Sequence, residues 1–179
     1  MKKKINNLTV FCASSQKIAP RYFSYASELA EVMIENNINL VFGGANVGLM
    51  KILAEKIFSA GLKVTGIIPE FFVSRGLASE CSTELIITKD MHERKKLLID
   101  KADAFVALPG GYGTLDELIE VITLNQIKQI HKKVIIYDPE DFYKPLKELF
   151  KKFVNENFIT PDNIYNFVKS KEELKDIIK

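Results

Sequence analysis

The stretch "DAFVALPGGYGTLDELIE" (Asp103–Glu120) passes from one hydrophobic pattern to another. Residues 103–111 begin as a nearly continuous apolar run, which is typical of a strand covered on both faces. Residues 114–129 repeat apolar side chains near the 3.6-residue period of a helix. Between them lie a proline and three glycines. A buried strand that leads through glycines into a helix is the repeating unit of an α/β fold.

The same alternation extends along the rest of the chain and predicts a parallel sheet with right-handed crossovers. Residues 70–82 have weak periodicity, which leaves either a functional loop or a partly helical flap. The fold class expected is α/β: one Rossmann-like, three-layer domain over residues 1–179, with a mostly parallel sheet between helices. Strands are predicted at 8–14, 38–44, 63–69, 83–88, 103–111 and 133–138, and helices at 22–36, 47–61, 91–102, 114–129, 145–157 and 171–179.

Composition excludes several classes of protein. The 179 residues carry a net charge of only +2, which favours neither nucleic acid nor a membrane surface as a partner. The basic start "MKKK" is not followed by a long apolar stretch, so it does not predict a secretory signal. Cys12 and Cys81 form neither a disulfide framework nor a metal-ligand spacing, so we expect no metal and a reducing, cytoplasmic setting.

Glycine-rich or serine-rich segments follow three predicted strands, and in an open α/β sheet such segments meet at one edge. They are "ASSQK" with Ser14, "GGANVGLM" with Gly43 and Gly44, and "PGGYGT". Thr114 stands where a helix N-cap belongs, and free N–H groups with the helix dipole favour an anion there, most often phosphate. The alternative is a tight turn with a capping box made by Thr114 and Glu117.

Two known nucleotide fingerprints are absent from these segments. There is no G-x-G-x-x-G followed by an acid, and no G-x-x-x-x-G-K-[ST], so a nicotinamide dehydrogenase and a P-loop NTPase are not expected. The basic run "DMHERKK" begins another helix and is consistent with a solvated face. Its functional interpretation is that Arg94 faces the sheet edge, where a guanidinium binds oxyanions bidentately.

At these motifs the sequence resembles the LOG family, the cytokinin riboside 5′-monophosphate phosphoribohydrolases. The hallmark P-G-G-x-G-T-x-x-E matches Pro109–Glu117, and M-H-x-R-K matches Met91–Lys95. "GGANVGLM" and "FCASS" are similar to two further family segments. The resemblance covers residues 10–159 in order and spacing, and the combination is far more specific than any single motif.

The resemblance implies hydrolysis of the N-glycosidic bond of a purine nucleoside 5′-monophosphate, AMP or an N6-prenylated AMP, without a cofactor. Arg94 and Glu117 are then the catalytic pair. The carboxylate either stabilises an oxocarbenium-like state or activates water. The residues implied to bind substrate or phosphate are Ser14, Gly43, Gly44, Met91, Lys95, Gly110, Gly111, Tyr112, Gly113, Thr114, Asp116 and Thr123.

The family also implies a homodimer with its sites near the interface. The apolar face of residues 114–127 is wide enough for this, although a helix packed only in its own core explains it equally well. The chain departs from the family pattern at Asn125, where tryptophan is usual, at Lys133, where proline is usual, and at Gly76, where relatives often have an acid. These departures bear on base preference and on the interface.

Two other functions compete with the hydrolase. A non-catalytic nucleotide or molybdenum-cofactor carrier of related fold needs the phosphate site but not Arg94 and Glu117 together. Lysine decarboxylase, an older label for such chains, needs a Schiff-base lysine for pyridoxal phosphate, and a chain of this length with no lysine in the segments GGANVGLM and PGGYGT is a poor candidate. Nucleic-acid binding has no basic stripe or aromatic motif to support it.

Overall fold

The predicted alternation of strands and helices is confirmed by the computed structural model, which describes residues 4–160 and 163–179. The basic start "MKKK" falls largely on residues 1–3, outside the described residues. The elements in chain order are β1 (Asn7–Phe11), α1 (Pro20–Glu35), β2 (Asn39–Phe42), α2 (Gly48–Ser59), β3 (Val64–Pro69), α3 (Glu70–Val73), β4 (Glu84–Thr88), α4 (Met91–Asp100), β5 (Ala104–Ala107), α5 (Tyr112–Gln126), β6 (Lys133–Tyr137), α6 (Lys144–Asn155), β7 (Asn166–Val168) and α7 (Lys171–Ile178).

The strands form one sheet in the order β4-β3-β2-β1-β5-β6-β7, and the pairings between these seven strands are all parallel. The order reverses between β1 and β5, which pair from Leu8 with Ala104 to Phe11 with Ala107. A crevice therefore opens at the carboxyl ends of these two strands, the usual ligand position in such a sheet.

Two apolar clusters cover the two faces of the sheet, which gives the three layers that the sequence predicts. One cluster joins α1, α2 and α7 to the sheet through side chains such as Leu29 and Leu53. The other joins α4, α5 and α6 through side chains such as Leu98 and Val121. The Rossmann-like α/β class is confirmed.

The sequence patterns do not give the bounds of two short elements, the strand β7 and the helical turn α3. β7 has only three residues, and its burial rises from exposed Asn166 to buried Val168, so no alternating pattern marks it. α3 is a single turn inside residues 70–82, within the segment expected to be a loop or a partly helical flap. Within the described ranges, no helix has both the length and the apolar character needed to cross a membrane.

Candidate active site

The carboxyl ends of β1, β2 and β5 surround a cavity of about 520 Å³. The segments after these strands contribute Ser14, Gly43 and residues 111–114, while α4 and α5 contribute Arg94 and Glu117. The structure thus brings together side chains that lie more than 100 positions apart in the sequence. It places them at the point where the strand order reverses.

The α5 helix begins two residues earlier than the sequence predicts. Gly111 is the N-cap, with an extended backbone at φ −92° and ψ −154° and no side-chain capping bond. The prediction that Thr114 is the N-cap is therefore wrong, and so is the alternative of a capping box with Glu117. The hydroxyl of Thr114 instead folds back over Gly110, where a Cβ would lie 2.1 Å from its Oγ1. Because Gly110 has no side chain, the Thr114 hydroxyl can occupy this space and α5 can begin at Tyr112.

This early start leaves the N–H groups of the first turn of α5 facing open space, an arrangement that could hold an anion. The first four N–H groups of a helix have no partner within it, and here they belong to residues 111–114. A Cβ on Gly111 or Gly113 would meet no atom within 4 Å, so both residues face open space. No acidic side chain lies in this first turn, which leaves its positive end free for a ligand's negative charge.

Arg94 and Glu117 form a buried ion pair in the wall of the cavity. Nη1 of Arg94 donates to Oε1 of Glu117 at 2.6 Å, and each side chain is about nine-tenths buried. Nε of Arg94 also donates to the carbonyl oxygen of Ile67, at the end of β3, at 3.1 Å. The basic run of α4 is therefore not only a solvated face, since Arg94 turns inward and is held from two sides.

The environment of Glu117 shifts its titration. Burial raises the pKa of this carboxyl above its ordinary value, and the positive charge and hydrogen bond of Arg94 oppose that rise. A carboxylate with a raised pKa is a better proton acceptor than an exposed glutamate, because basicity increases with pKa. The arrangement suits a base or a charge-stabilising group.

Cys12 also lines the cavity, at the end of β1. Burial raises the pKa of its thiol well above the ordinary value, and the negative charge of Glu117 raises it further. Because the thiolate is the reactive form of cysteine, this thiol is unsuited to nucleophilic catalysis. Both Cys12 and Cys81 are free.

Lys95 and Asp116 lie outside the cavity wall and pair with each other. Nζ of Lys95 lies 3.1 Å from Oδ2 of Asp116 and 3.0 Å from Oε2 of Glu120, so one α4 side chain contacts two on α5. Burial lowers the pKa of Lys95, but its hydrogen bonds to Glu120 and Asp116 outweigh that effect and raise it. We refer to these three residues as the α4–α5 clamp.

Three other residues assigned to the site from the sequence do not line the cavity. Gly44 has a positive φ of +73° and accepts a hydrogen bond from the N–H of Ser79 at 2.8 Å, so it shapes a turn beneath the site. Gly110 lines a neighbouring cavity of about 310 Å³. Thr123 is exposed two turns further along α5, where its hydroxyl donates to the carbonyl of Ile119 at 2.8 Å.

One wall of the cavity is apolar, and only its Val47 and Met50 belong to a motif singled out from the sequence, GGANVGLM. Val47 and Met50 come from the start of α2, while Phe72 and Leu77 come from the segment around α3. That segment is held over the site by an antiparallel bridge between Ala45 and Ala78. Its weak periodicity was the one sequence signal for such a wall, and it indicates the segment without indicating which side chains face inward.

The residues of the site do not suit a metal ion or pyridoxal phosphate. Among the described residues, no group of three or more His, Cys, Asp or Glu side chains is placed to hold a metal. No lysine is among the side chains described as lining the cavity, so the Schiff-base residue that a decarboxylase needs does not fit here.

The chain is similar to known proteins along its length. A family model described as possible lysine decarboxylase matches residues 50–179. The cytokinin riboside 5′-monophosphate phosphoribohydrolase LOG1 of Arabidopsis thaliana is 37% identical over 179 residues, which cover 100% of this chain and 84% of that protein. LOG2 of the same plant is 40% identical over 159 residues, covering 89% of this chain and 75% of that protein.

Solved structures resemble the fold. The molybdenum cofactor binding protein of Rippkaea orientalis superimposes with a TM-score of 0.71 at 22% identity, covering 99% of this chain and 97% of that one. The molybdenum cofactor carrier protein of Chlamydomonas reinhardtii reaches a TM-score of 0.73 at 17% identity, with coverage of 98% and 96%. At these identities the likeness shows the shared architecture alone.

Proposed function

The chain belongs to the LOG family, and on that premise we propose that it hydrolyses the N-glycosidic bond of a purine nucleoside 5′-monophosphate. The products are the free base and ribose 5-phosphate. The observation that supports this most is the buried pair of Arg94 and Glu117, which shares one cavity with the open first turn of α5. A sugar phosphate needs both features at once.

The phosphate group binds at the start of α5. The N–H groups of residues 111–114 point away from the helix, and Gly111 and Gly113 leave space for oxygen atoms to approach the backbone. The hydroxyl of Thr114, which is buried beside them, supplies one more donor. A nucleoside without the phosphate lacks the partner for these groups, so we expect it to be a poor substrate.

The sugar then lies toward Glu117, on the second turn of the same helix. Water adds to C1′ while the C1′–N bond breaks. The electron pair of that bond leaves with the base, which takes up a proton, and the attacking water loses one. Positive charge develops on the sugar in the transition state. The Glu117 carboxylate stabilises that charge or accepts the proton of the attacking water, and both roles require its ionised form.

Arg94 has two roles open to it in this reaction. Its guanidinium keeps Glu117 ionised and fixed, because the pair is bonded at 2.6 Å. It is also a donor that stabilises negative charge on the departing base. Either role makes Arg94 essential, and the apolar wall with Phe72 and Leu77 provides the surface against which a purine, plain or N6-prenylated, packs.

A carrier protein of the same fold is the alternative function. The solved structures related to molybdenum cofactor proteins support only the architecture in this chain. A buried charged pair is costly to desolvate, and a protein that only binds a nucleotide has no need of that cost. The pair therefore favours the hydrolase.

A homodimer is part of the same proposal. α5, α6, residues 159–160 and residues 163–165 line another cavity of about 490 Å³, whose walls include Ile119, Phe150 and Phe153. Thr123 and Gln126 lie at its edge, on the exposed side of α5. A face of this kind, on the helix that also holds Glu117, suits contact with a second copy near the site.

The deciding experiment measures free adenine released from AMP, from adenosine and from isopentenyladenosine monophosphate. We expect release from one or both monophosphates, little from adenosine, and a loss of at least about 100-fold in Glu117→Gln. Glu172→Gln is the matched control, because it makes the same change at an exposed glutamate of α7 that neither lines the cavity nor belongs to the α4–α5 clamp. AMP binding without release from any nucleotide would instead support the carrier.

A further inference from the structure

Gly43 follows β2 directly and touches the catalytic pair. A Cβ built on this residue would lie 2.1 Å from Nη2 of Arg94, 3.0 Å from Sδ of Met50 and 3.3 Å from Cζ of Arg94. The contact with the flexible Met50 side chain is at the limit that real Cβ atoms keep, so the collision is the one with Nη2 of Arg94. The φ angle of Gly43 is not positive, so the backbone conformation at this position would accept alanine. The requirement for glycine here is therefore one of space, and the group that needs the space is the Arg94 guanidinium.

The Arg94 guanidinium cannot move aside without straining the two hydrogen bonds that hold it. Nε is bonded to the carbonyl of Ile67 at 3.1 Å, and Nη1 is bonded to Glu117 at 2.6 Å. A methyl group on Gly43 forces Nη2 away by about an ångström before the contact reaches the 3.0 Å that real Cβ atoms keep. Because the guanidinium is planar and rigid, that shift moves all three nitrogen atoms and stretches both hydrogen bonds.

We propose that Gly43 is a positioning residue for the reaction: its missing side chain sets where the Arg94 guanidinium lies against Glu117. The proposal rests on the proposed function and deepens it. It also gives Gly43 a different role from the phosphate contact that the sequence motif suggests. A misplacement of about 1 Å in a catalytic group costs on the order of 100-fold in rate.

The two roles of Gly43 predict different kinetics. If Gly43 binds phosphate through its backbone, Gly43→Ala weakens binding of every monophosphate and raises KM. If Gly43 positions Arg94, the same change lowers kcat and leaves KM nearly unchanged. The positioning role also depends on the guanidinium, so it disappears when residue 94 has no Nη2.

The test is a double-mutant cycle with Gly43→Ala, Arg94→Lys and the double variant, using base release from the preferred monophosphate. We expect Gly43→Ala alone to lose on the order of 100-fold in kcat, with KM changed less than about threefold. In the Arg94→Lys background, the added methyl is expected to change kcat by less than about threefold, because a lysine ammonium lacks the colliding nitrogen. Equal losses in both backgrounds, or a raised KM with normal kcat, would overturn the proposal.

Two further measurements keep the test decisive. If Gly43→Ala fails to fold, recovery of a native melting curve in the double variant supports the collision with Arg94, and failure of both variants opposes it. A crystal structure of Gly43→Ala reports the Arg94–Glu117 separation without reference to activity. A wild-type protein that releases no base refutes the proposed hydrolase, while an unmoved guanidinium in that crystal structure refutes the positioning role.

Discussion

At the scale of single residues, the chemistry depends on one carboxylate and one guanidinium buried side by side. Without Arg94, burial would raise the pKa of Glu117 still further, and Arg94 without Glu117 would be an uncompensated buried charge. Their bond at 2.6 Å resolves both problems and leaves the carboxylate with a pKa that is still above the ordinary range. Neither residue has the properties of the pair by itself.

The raised pKa of Glu117 gives a prediction for the pH dependence of the reaction. The ionised form is required, and a group whose pKa is raised begins to lose its charge at a higher pH as the solution is acidified. We therefore expect kcat/KM for AMP to fall on the acidic side with an apparent pKa above the 4.5 of an ordinary glutamate.

The comparison variant for this prediction is Arg94→Met, which removes both the positive charge and the hydrogen bond that lower the pKa of Glu117. The acidic limb of its residual activity is therefore expected at still higher pH. An acidic limb at or below 4.5 in the wild type, or one that Arg94→Met moves to lower pH, would contradict the assignment.

At the scale of secondary-structure elements, the site depends on how α4 and α5 are fixed to each other. Arg94 lies on α4 and Glu117 on α5, and the neighbouring α4–α5 clamp of Lys95, Asp116 and Glu120 ties the same two helices together. The side chain of Asp90 caps α4 by accepting a hydrogen bond from the backbone N–H of Glu93 at 2.8 Å. This cap fixes the first turn of α4, which includes Arg94. Asn125 anchors the other end of α5, with hydrogen bonds to Lys132 in both directions.

The clamp gives a second prediction. Lys95→Met removes both ion pairs and is expected to lower kcat several-fold while KM and the melting temperature change little, because partly exposed pairs contribute roughly 1 kcal/mol or less. Lys96→Met is the matched control, since Lys96 pairs only with Asp100 on its own helix, at 2.9 Å, among the contacts described. A rise in KM without a fall in kcat would show instead that Lys95 contacts the substrate.

At the scale of the whole molecule, the reversal of strand order decides where function lies. β1 and β5 pair in parallel, and the segments that follow them lead to helices on opposite faces of the sheet. A crevice opens between these two segments, which are distant from each other in the sequence. The helices of the second half, α5 and α6, then carry both the site and an apolar cavity on the outer surface. Catalysis and association are therefore proposed to share one side of the fold.

The proposed dimer is tested at this scale by analytical ultracentrifugation at about 10 µM. The wild type is expected at twice the chain mass, and Thr123→Arg, at the edge of the outer cavity, at the single chain mass, because a charge placed in an apolar interface is desolvated without a partner. Ser59→Arg, an exposed position on α2, is the matched control and should leave the dimer intact. A wild type that sediments as a monomer would refute the interface.

The α/β class and the parallel sheet could be predicted from the sequence alone, because hydrophobic periodicity is a local pattern that can be read without knowing the fold. Arg94 and Glu117 were singled out through the resemblance of their motifs to the LOG family, and their roles in the reaction remain a proposal. The start of α5, the strand β7 and the apolar wall with Phe72 were decided only by tertiary contacts. The role of Gly43 belongs with them, because a collision with Arg94 exists only once β2 and α4 pack together.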